Sequence, residues 1–553
     1  MARYIFVIGG VMSGIGKGIT TASIARILKS KGFRATCVKI DPYLNVDAGT
    51  MNPIEHGEVF VTEDGMECDQ DIGNYERFLD ENIFAQNYMT SGSVYLSVIN
   101  RERALGYGGK CVETVPHIPE EVIGRLQNAA AKTKADFVLV EIGGTAGEYQ
   151  NLVFFEAARM MKLRDPDKVM FILVSYFPIP KLMGEMKTKP TQYAVRILNS
   201  SGIQPDFIMA RSEVSLDEPR KKKLSVFCNM HPEDIISAPD IMNIYQAPLN
   251  FEKDKMGNKI LMKFGLRKKK NDMSDWARMF RKSLKTKKTV KIGIVGKYFG
   301  TGKFTLPDSY ISVIESIKHA SWELGASPEI HWLNGETYEK DKKKMAKELG
   351  AMDGIIVPGG FGARAIEGKI RAIEYARENL KPFFGLCYGM QLAVVEFARN
   401  VAGMPGANTT EVNPKTKYPV IDVMADQKEK YLKKNLGGTM RLGAYNCKLK
   451  EGTVARRAYK ADKISERHRH RYEFNNALKE VLESKGLVSS GINPESGLVE
   501  IIELPKHPFF LGTQFHPEFK SRPLSPHPLF REFIRATMKN NEKKGKNGGR
   551  KSG

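Results

Sequence analysis

The chain has 553 residues, enough for two or more domains, and its composition is that of an ordinary globular protein. Its formal net charge of +22 favours anionic partners, either nucleic acid or nucleotide phosphates. The six Cys have no C-x-x-C spacing, which argues against a zinc ribbon or a disulfide scaffold, and no apolar run approaches the ~20 residues that span a bilayer, so we expect a cytoplasmic protein.

The first predicted strand, residues 4–8, runs into a glycine-rich loop and then into a helix predicted over residues 19–30. This order of elements cradles phosphate, because bare backbone N–H groups and a helix N-terminus face the anion. Lys17 lies in the loop, where it would neutralise phosphate charge. Gly18 stands where a P-loop has a Ser or Thr for Mg²⁺, so the metal would need carboxylates from elsewhere. A tight turn without a ligand is the alternative.

Two acidic residues are candidates for that metal. Glu141 ends the apolar strand predicted over residues 137–141, at the edge where open α/β sheets bind ligands. A charge that ends a buried strand needs a partner. Asp71 closes the acidic stretch 67–71, for which a solvated surface is the alternative, and Asp69 could share the metal.

Further along, residues 187–192 place two lysines on one side of a predicted extended segment, where they could bind a triphosphate. A solvated loop is the alternative. Residues 205–211 and 234–238 are predicted to be short strands.

A connection between domains is predicted over residues 266–289, which are rich in Lys and Arg. Trp276, Met279, Phe280 and Leu284 would form the apolar face of a linker helix there. A new α/β unit begins at about residue 291, and residues 300–303 are interpreted as a mobile loop because no helix follows them at once. The basic tail, residues 539–553, is predicted to be disordered.

The most informative stretch is a predicted strand that ends at Leu386, followed by Cys387 and a helix. Such an elbow exposes a nucleophile, and the helix N-terminus favours the thiolate. A small buried thiol is the alternative. His516 and Glu518 lie downstream; in a strand their spacing would put both on one face, where Glu518 could orient His516 and His516 could deprotonate Cys387. The glycine turn that follows the predicted strand 354–357 could supply N–H groups to an oxyanion.

These motifs resemble those of known protein families. Gly385-Leu-Cys387-Tyr-Gly-Met-Gln391 with the later Gln514-Phe-His-Pro-Glu518 resembles a class I glutamine amidotransferase domain. Residues 9–18 and 39–47, supported by 56–61, 141–145, 187–192 and 466–473, narrow the resemblance to the CTP synthase family. It implies an α/β fold with a P-loop-type parallel-sheet synthetase domain over residues 1–265, the linker helix over 266–289, a class I glutamine amidotransferase α/β domain over 290–538 and the tail over 539–553.

The resemblance also implies roles for individual residues. The catalytic positions would be Cys387, His516 and Glu518, and the metal ligands Asp71 and Glu141. The ATP positions would be Gly14, Ile15, Gly16, Lys17, Gly18, Ile19, Asp71, Asp240 and Ile241. The UTP and CTP positions would be Ser13, Glu148, Tyr149, Gln150, Lys187, Thr188, Lys189, Pro190, Thr191, Gln192 and Lys223. The glutamine positions would be Gly360, Tyr388, Gly389, Met390, Gln391, Glu411 and Arg471.

The activity that this resemblance implies is ATP-dependent amination of UTP to CTP, with ammonia from glutamine, Mg²⁺ as cofactor, GTP as activator and CTP as inhibitor. It implies a homotetramer without nucleic-acid or membrane partners. His56 matches a position near the family's ammonia passage, with an ordinary structural histidine as the alternative. Residues 147–150 read Gly-Glu-Tyr-Gln where the family commonly has Gly-Asp-Ile-Glu, which predicts altered contacts to cytosine.

Three alternatives stay open at this point. A nucleic-acid-binding or scaffolding protein built on an inactive synthase would explain the basic runs, but it would not need Cys387, His516 and Glu518 together. Another P-loop amidotransferase, such as a cobyrinic acid amidase, is disfavoured by the Lys187–Lys189 segment and the separate C-terminal domain. For the basic run 468–471 a positively charged surface strand is the alternative, and its two histidines have no metal-ligand pattern.

Overall fold

The computed structural model describes residues 2–182, 184–286, 288–297, 300–301, 304–305, 307–423 and 440–548. The chain divides into two compact units, one formed by residues 1–48 and 71–280 and the other by residues 49–70 and 281–553. The division near residue 280 falls inside the predicted linker. The inclusion of residues 49–70 in the second unit was not expected, because nothing in their sequence marks a change of domain.

The strands of the first half of the chain are β1 (Arg3–Gly9), β2 (Ala35–Asp41), β3 (Val59–Val61), β4 (Glu67–Asp69), β5 (Tyr88–Thr90), β6 (Phe137–Ile142), β7 (Val169–Tyr176), β8 (Phe207–Ser212) and β9 (Ile235–Pro239). The helices are α1 (Lys17–Ser30), α2 (Pro53–His56), α3 (Gln70–Leu79), α4 (Ser91–Arg103), α5 (Thr114–Thr133), α6 (Leu152–Arg164), α7 (Lys189–Ser200), α8 (Glu218–Cys228), α9 (Ala247–Lys253), α10 (Met256–Lys263) and α11 (Ser274–Leu284). Of these, α2, β3 and β4 belong to the second unit.

The first unit is built on a seven-stranded sheet in the order β5-β2-β6-β1-β7-β8-β9, with parallel neighbours throughout. Its central strands are buried along their whole length, as expected for a parallel sheet covered by helices on both faces. Val7 pairs with Glu141 in register, so the loops that follow β1 and β6 lie side by side at the carboxyl edge. That edge is where sheets of this kind bind ligands.

The strands of the second half are β10 (Lys288–Gly296), β11 (Gly300–Thr301), β12 (Phe304–Thr305), β13 (Ala326–Asn334), β14 (Gly354–Val357), β15 (Phe383–Leu386), β16 (Asn408–Thr409), β17 (Pro419–Val423), β18 (Arg441–Leu449), β19 (Lys463–His470), β20 (Tyr472–Phe474), β21 (Val488–Ile492), β22 (Val499–Glu503) and β23 (Phe510–Thr513). The helices are α12 (Ile311–Glu323), α13 (Gly335–Lys340), α14 (Lys342–Ala351), α15 (Ile366–Glu378), α16 (Tyr388–Asn400), α17 (Val454–Tyr459), α18 (Lys479–Ser484) and α19 (Pro528–Gly548).

The second unit contains a nine-stranded mixed sheet in the order β13-β10-β14-β15-β23-β22-β21-β18-β19. The first five strands are parallel and the remaining pairings are antiparallel. Aromatic residues cover the parallel part; for example, the rings of Phe384 and Phe530 pack edge to face at 5.1 Å. The expectation of an α/β fold in both halves is confirmed. Among the described residues no helix has the length and apolarity that crossing a membrane requires.

Three local predictions differ from the structure. The linker helix is shorter than predicted, and Leu284 is 67% exposed instead of completing the apolar face, while Trp276 is buried and donates a hydrogen bond to Tyr245 O. Helix α19 continues to Gly548, well into the tail that we expected to be disordered. Gly300–Thr301 pairs with Phe304–Thr305 as two short antiparallel strands, and Gly302 and Lys303 lie outside the described residues.

Candidate active sites

The glycine-rich loop of the first unit joins β1 directly to α1, which begins at Lys17 rather than at Ile19. Gly14 and Gly16 have φ values of +69° and +83°, a backbone region that favours glycine. Lys17 is buried and donates a hydrogen bond of 2.7 Å to Gly144 O, in the loop after β6. Burial lowers the pKa of Lys17, although the nearby Glu141 carboxylate partly opposes this.

Asp71 and Glu141 converge on one buried cation. Lys39 donates to Asp71 Oδ2 and, at 3.0 Å, to Glu141 Oε1, while Tyr75 donates to Glu141 Oε2. Burial and the charge of Asp71 raise the pKa of Glu141 to about 7. Burial would also raise the pKa of Asp71, but the Lys39 ammonium outweighs burial and lowers it overall. The third candidate metal ligand, Asp69, belongs to the second unit, so its relation to this pair stays a prediction.

Gly18 explains the departure from the usual P-loop. A Cβ at this position would overlap the Asp71 carboxylate, so a Ser or Thr side chain has no room here. The Asp71 carboxylate thus occupies the space of the missing hydroxyl, and with Glu141 it offers the oxygen ligands that Mg²⁺ prefers. The residues present therefore fit a magnesium ion.

A prediction follows for Gly18. We expect Gly18→Ala to lower the ATP-dependent amination of UTP that the resemblance implies by at least about 100-fold, because the new methyl displaces Asp71. The glutamine hydrolysis that the resemblance implies for the second unit should be retained. The matched control is Gly124→Ala in α5, where an added Cβ meets nothing within 4 Å. Steady-state rates of both variants with ammonium chloride as nitrogen donor test this, and an active Gly18→Ala enzyme would contradict it.

An apolar cleft lies beside the glycine loop. Gly16, Ile19 and Ile241 line a cavity of about 100 Å³. Asp240 stands at its edge and accepts a hydrogen bond of 2.8 Å from Arg211 Nη2. The structure therefore brings these four residues together within the first unit, while Ser13 and Gly14 are exposed on the loop and Ile15 is buried beneath it.

The predicted extended conformation of residues 187–192 is wrong for most of the segment, because α7 begins at Lys189. Pro190 pre-sets the first helical turn, and Thr188 Oγ1 accepts a 3.1 Å hydrogen bond from Gln192 Nε2. Thr191 Oγ1 lies 2.8 Å from Ser175 Oγ. The helix N-terminus thereby adds a partial positive charge to the two lysines.

The lysines near this helix end are accessible to a ligand. Lys187 forms an ion pair of 2.6 Å with Glu185, and Lys189 Nζ lies 5.9 Å from the centre of the Phe227 ring in α8. Lys223 is exposed on α8, and its charge acts on Glu185. The charges of Lys187 and Lys223 therefore both act on Glu185.

The loop after β6 is ordered by Glu148. Its carboxylate accepts a hydrogen bond of 2.8 Å from Thr145 N and one of 2.7 Å from Gln150 Nε2. Tyr149 is 89% exposed. Glu148 and Gln150 are thus already joined, and Tyr149 alone of the three projects freely.

In the second unit, Cys387 lies between β15 and α16 with φ +49° and ψ −100°, a strained conformation for a residue with a side chain. Position 389 requires glycine, because a Cβ there would overlap Val357 O of the neighbouring strand. The predicted strand–turn–helix elbow is therefore present.

His516 and Glu518 pair as predicted, but not on a strand. β23 ends at Thr513, and Glu518 belongs to a short 3-10 helix, Pro517–Lys520, in which the turn brings the two side chains together. His516 Nδ1 lies 2.7 Å from Glu518 Oε1. Burial opposes protonation of His516, but Glu518 and Cys387 outweigh it and raise its pKa to about 10. His516 can therefore take up a proton and hold it at neutral pH.

A cavity of about 70 Å³ joins the nucleophile to its neighbours, with Cys387, His516, Glu518 and Gly360 in its wall. A Cβ at Gly359 would lie 2.9 Å from His516 Cε1, so glycine lets the turn after β14 approach the imidazole. The backbone of this turn faces the space in front of the thiol.

The remaining glutamine candidates lie on different sides of the elbow. Glu411 Oε1 accepts a 2.6 Å hydrogen bond from Gly362 N, and Tyr388 Oη donates to Gly362 O at 3.0 Å. Gln391 Nε2 donates to Tyr472 O at 2.9 Å. Met390 is buried in the core, so its side chain does not reach the cavity. Arg471 is half-buried between β19 and β20.

Strand β19 is not the positively charged surface strand considered as an alternative. Arg467 and Arg469 are buried and pair with Glu63 at 2.9 Å and Glu67 at 2.8 Å, both from the 49–70 segment of the same unit. His468 and His470, which alternate with them, are buried as well.

Comparisons with known proteins agree with both halves of the chain. The family model of the CTP synthase N-terminus matches residues 3–266, and that of the class I glutamine amidotransferase matches residues 305–536. The CTP synthase of Caldanaerobacter subterraneus subsp. tengcongensis is 50% identical over 97% of this chain and 98% of its own length. The chain belongs to the CTP synthase family.

Two further proteins are similar to this chain. The CTP synthase of Symbiobacterium thermophilum is 49% identical over 97% of this chain and 99% of its own length. A solved glutaminase domain of Trypanosoma brucei CTPS with bound acivicin is 38% identical and covers 45% of this chain and 94% of its own, with a TM-score of 0.42.

Four residues of this CTP synthase family member were not identified as site residues from the sequence. Lys39 and Tyr75 hold the carboxylate pair, Arg211 borders the apolar cleft, and the Gln514 amide lies 3.8 Å from Cys387 Sγ. A signal existed for Lys39, because a lysine inside an apolar strand requires a buried anion. Tyr75 and Arg211 carry no comparable local signal.

Proposed function

We propose that this member of the CTP synthase family performs its two reactions at the two sites described above. The first unit phosphorylates O4 of UTP with ATP, and the second releases ammonia from glutamine. Ammonia then attacks C4 of the activated pyrimidine, and phosphate leaves. Transfer without release to water keeps ammonia unprotonated and nucleophilic.

In the first unit the triphosphate of ATP lies along the glycine loop, residues 9–18, where backbone N–H groups and Lys17 receive its charge. Adenine occupies the cleft lined by Ile19 and Ile241. Asp71 and Glu141 would hold Mg²⁺, and a bound Mg²⁺ would supply charge neutralisation to the phosphates. UTP binds through its phosphates to Lys187 and Lys189 at the N-terminus of α7 and to Lys223 of α8.

In the second unit Cys387 passes its thiol proton to His516 and attacks the amide carbon of glutamine. Glu518 stabilises the imidazolium, which then gives the proton to departing ammonia. Backbone N–H groups of the glycine turn near Gly360 stabilise the oxyanion, and Glu411 and Arg471 hold the substrate's charged ends. Water cleaves the thioester and restores the thiol.

The single observation that carries this proposal is the convergence of Cys387, His516 and Glu518 on one cavity in a chain that also has the loop and carboxylate pair. The test is the absorbance change on CTP formation with UTP, ATP and glutamine, and with each omitted in turn. Formation of CTP only when all three are present supports the proposal; a rate independent of UTP or ATP would contradict it.

Feedback by CTP is expected to involve the Glu148–Gln150 loop. Because Gln150 Nε2 donates to Glu148 at 2.7 Å, Gln150→Glu brings two carboxylates together and loosens the loop. We expect the CTP concentration for half-inhibition to change by at least about threefold relative to wild type. Titration of CTP against both enzymes checks this, and superimposable curves would show that residue 150 does not sense the base. GTP activation, the homotetramer and the cytoplasmic location stay predictions.

A further inference from the structure

Behind the Cys387 site lies a buried chain of ionisable groups that the mechanism above does not use. His468 Nδ1 is 2.8 Å from His470 Nε2, and Arg441 donates to Glu473 Oε1 at 3.0 Å and to Glu500 Oε1 at 2.7 Å. All five side chains are at least 93% buried. They come from β18, β19, β20 and β22, so only the folded sheet assembles them.

The hydrogen bonds among these buried side chains fix which nitrogen of each histidine carries a proton. His470 Nδ1 is 3.2 Å from Tyr472 O, and a carbonyl only accepts, so Nδ1 carries the proton. Burial and the Arg441 charge push the pKa of both histidines well below the usual value, so each is neutral. His470 Nε2 is then bare and accepts from His468 Nδ1–H, which leaves His468 Nε2 bare as well.

The unusual feature is the Glu500 end of this series of side chains. His468 Nε2 faces Glu500 Oε2 at 3.7 Å, which is too long for a hydrogen bond, and within the described part of the chain neither buried atom has a hydrogen-bond partner. If Glu500 were ionised, two buried acceptors would face each other, an arrangement that leaves both unsatisfied. One proton on Glu500 removes the conflict.

We propose that Glu500 is a protonated carboxylic acid whose O–H closes the 3.7 Å gap and donates to His468 Nε2, and that the series Glu500–His468–His470–Tyr472 O is a positioning relay for the glutaminase site. The relay closes on the catalytic elbow through the backbone. Tyr472 O accepts from both His470 and Gln391, and the carbonyls of Arg467 and Arg469 accept from His516 N at 2.8 Å and Cys387 Sγ at 3.9 Å.

The surroundings of Glu500 support a neutral acid. Burial raises its pKa to about 7 against the opposing charge of Arg441. The charged or titratable groups that face it are Arg441 and Cys447 from β18 and His468 from β19, while Glu473 from β20 shares Arg441. If Glu500 is neutral, the positive charge of Arg441 and the negative charge of Glu473 cancel, so the relay adds no net charge next to His516.

The proposal deepens the proposed function and rests on glutamine hydrolysis at Cys387. A direct test that does not need activity is the infrared difference spectrum of wild type minus Glu500→Gln in the full-length chain at pH 6. We expect a carboxylic acid C=O band from Glu500 that disappears with a midpoint pH of about 7. Absence of that band overturns the proposal, whatever the enzyme's activity.

Kinetics supply the second test. In Glu500→Gln the amide donates to His468 and accepts from Arg441, as the protonated acid does, so kcat for glutamine hydrolysis at pH 6.5 should stay within about threefold of wild type. Above pH 7 wild type loses its donor and the variant does not, so the ratio of variant to wild-type kcat should rise. A large loss of kcat at pH 6.5 would mean that the ionised carboxylate is the working form.

Two further variants separate positioning from general damage. His468→Phe removes the relay and should lower kcat at least about tenfold with a smaller effect on KM, since it misplaces the Cys387 surroundings. Glu503→Gln is the matched control on the same strand, because the Glu503 carboxylate accepts hydrogen bonds of 2.8 Å from Val454 N and Ala455 N, which are not part of the relay. A Glu503→Gln pH profile that changed like that of Glu500→Gln would contradict the proposal.

Discussion

Replacement of Cys387 by alanine should abolish CTP synthesis from glutamine and leave synthesis from ammonium chloride intact. The thiol is the atom that forms the thioester, so we expect the glutamine-dependent rate to fall by at least about 10⁴-fold. Serine should not restore it, because a hydroxyl is a far poorer nucleophile than a thiol at neutral pH. The synthetase residues belong to the other unit and keep their mutual contacts.

The measurement is the absorbance change with each nitrogen donor, for wild type and Cys387→Ala side by side. Cys447→Ala is the matched control, since this buried thiol lies in the same unit outside the cavity. The ammonium-dependent rate should rise with pH in both variants, because only free ammonia attacks C4. Loss of both activities in a folded Cys387→Ala enzyme would refute the separation of the two sites.

Substitutions of His516 and Glu518 should lower glutamine hydrolysis to different extents, according to the role of each residue. His516→Ala should resemble Cys387→Ala, whereas Glu518→Ala should be milder, because an orienting group contributes less than the base. Glu518 also raises the pKa of His516, whose value is about 10 in the intact protein. Glu518→Gln removes that charge, so His516 should release its proton at a lower pH. The pH profile of glutamine hydrolysis for the variant and wild type measures the difference.

Lys17→Ala should show the opposite pattern and abolish CTP formation with glutamine and with ammonium chloride alike. Both routes need the phosphorylated intermediate, and the loss of a buried ammonium from a phosphate loop should lower the rate at least about 10³-fold. Basal glutamine hydrolysis should survive, because Cys387 and His516 lie in the other unit. Rates of CTP formation and of glutamate release, measured on the same preparation, distinguish the two activities.

The control for Lys17 lies on the same helix. Lys29 donates to Leu79 O and Glu81 at the surface, and Lys29→Ala should keep both activities because such pairs contribute little. Normal CTP synthesis by Lys17→Ala would show that the loop does not bind the transferred phosphate. Loss of glutamine hydrolysis as well would indicate general unfolding, which the melting temperature would reveal.

Local sequence rules determined much of this protein. The alternation of strand, glycine loop and helix around Lys17 follows from short-range periodicity and backbone freedom, as does the elbow at Cys387. The two-residue spacing also paired His516 with Glu518, although a 3-10 turn, not a strand, brings them together. Such features depend on residues close in the chain, which the sequence displays directly.

Tertiary structure alone decided the rest. In the sequence Asp71 is one of several neighbouring acidic residues. The fold brings it together with Lys39 and Glu141, which are distant in sequence, at the carboxyl edge of the sheet. Residues 49–70 joined the second unit because Glu63 and Glu67 neutralise Arg467 and Arg469. Burial of these charges depends on partners hundreds of residues away, and a buried charge is tolerated only when such a partner is present.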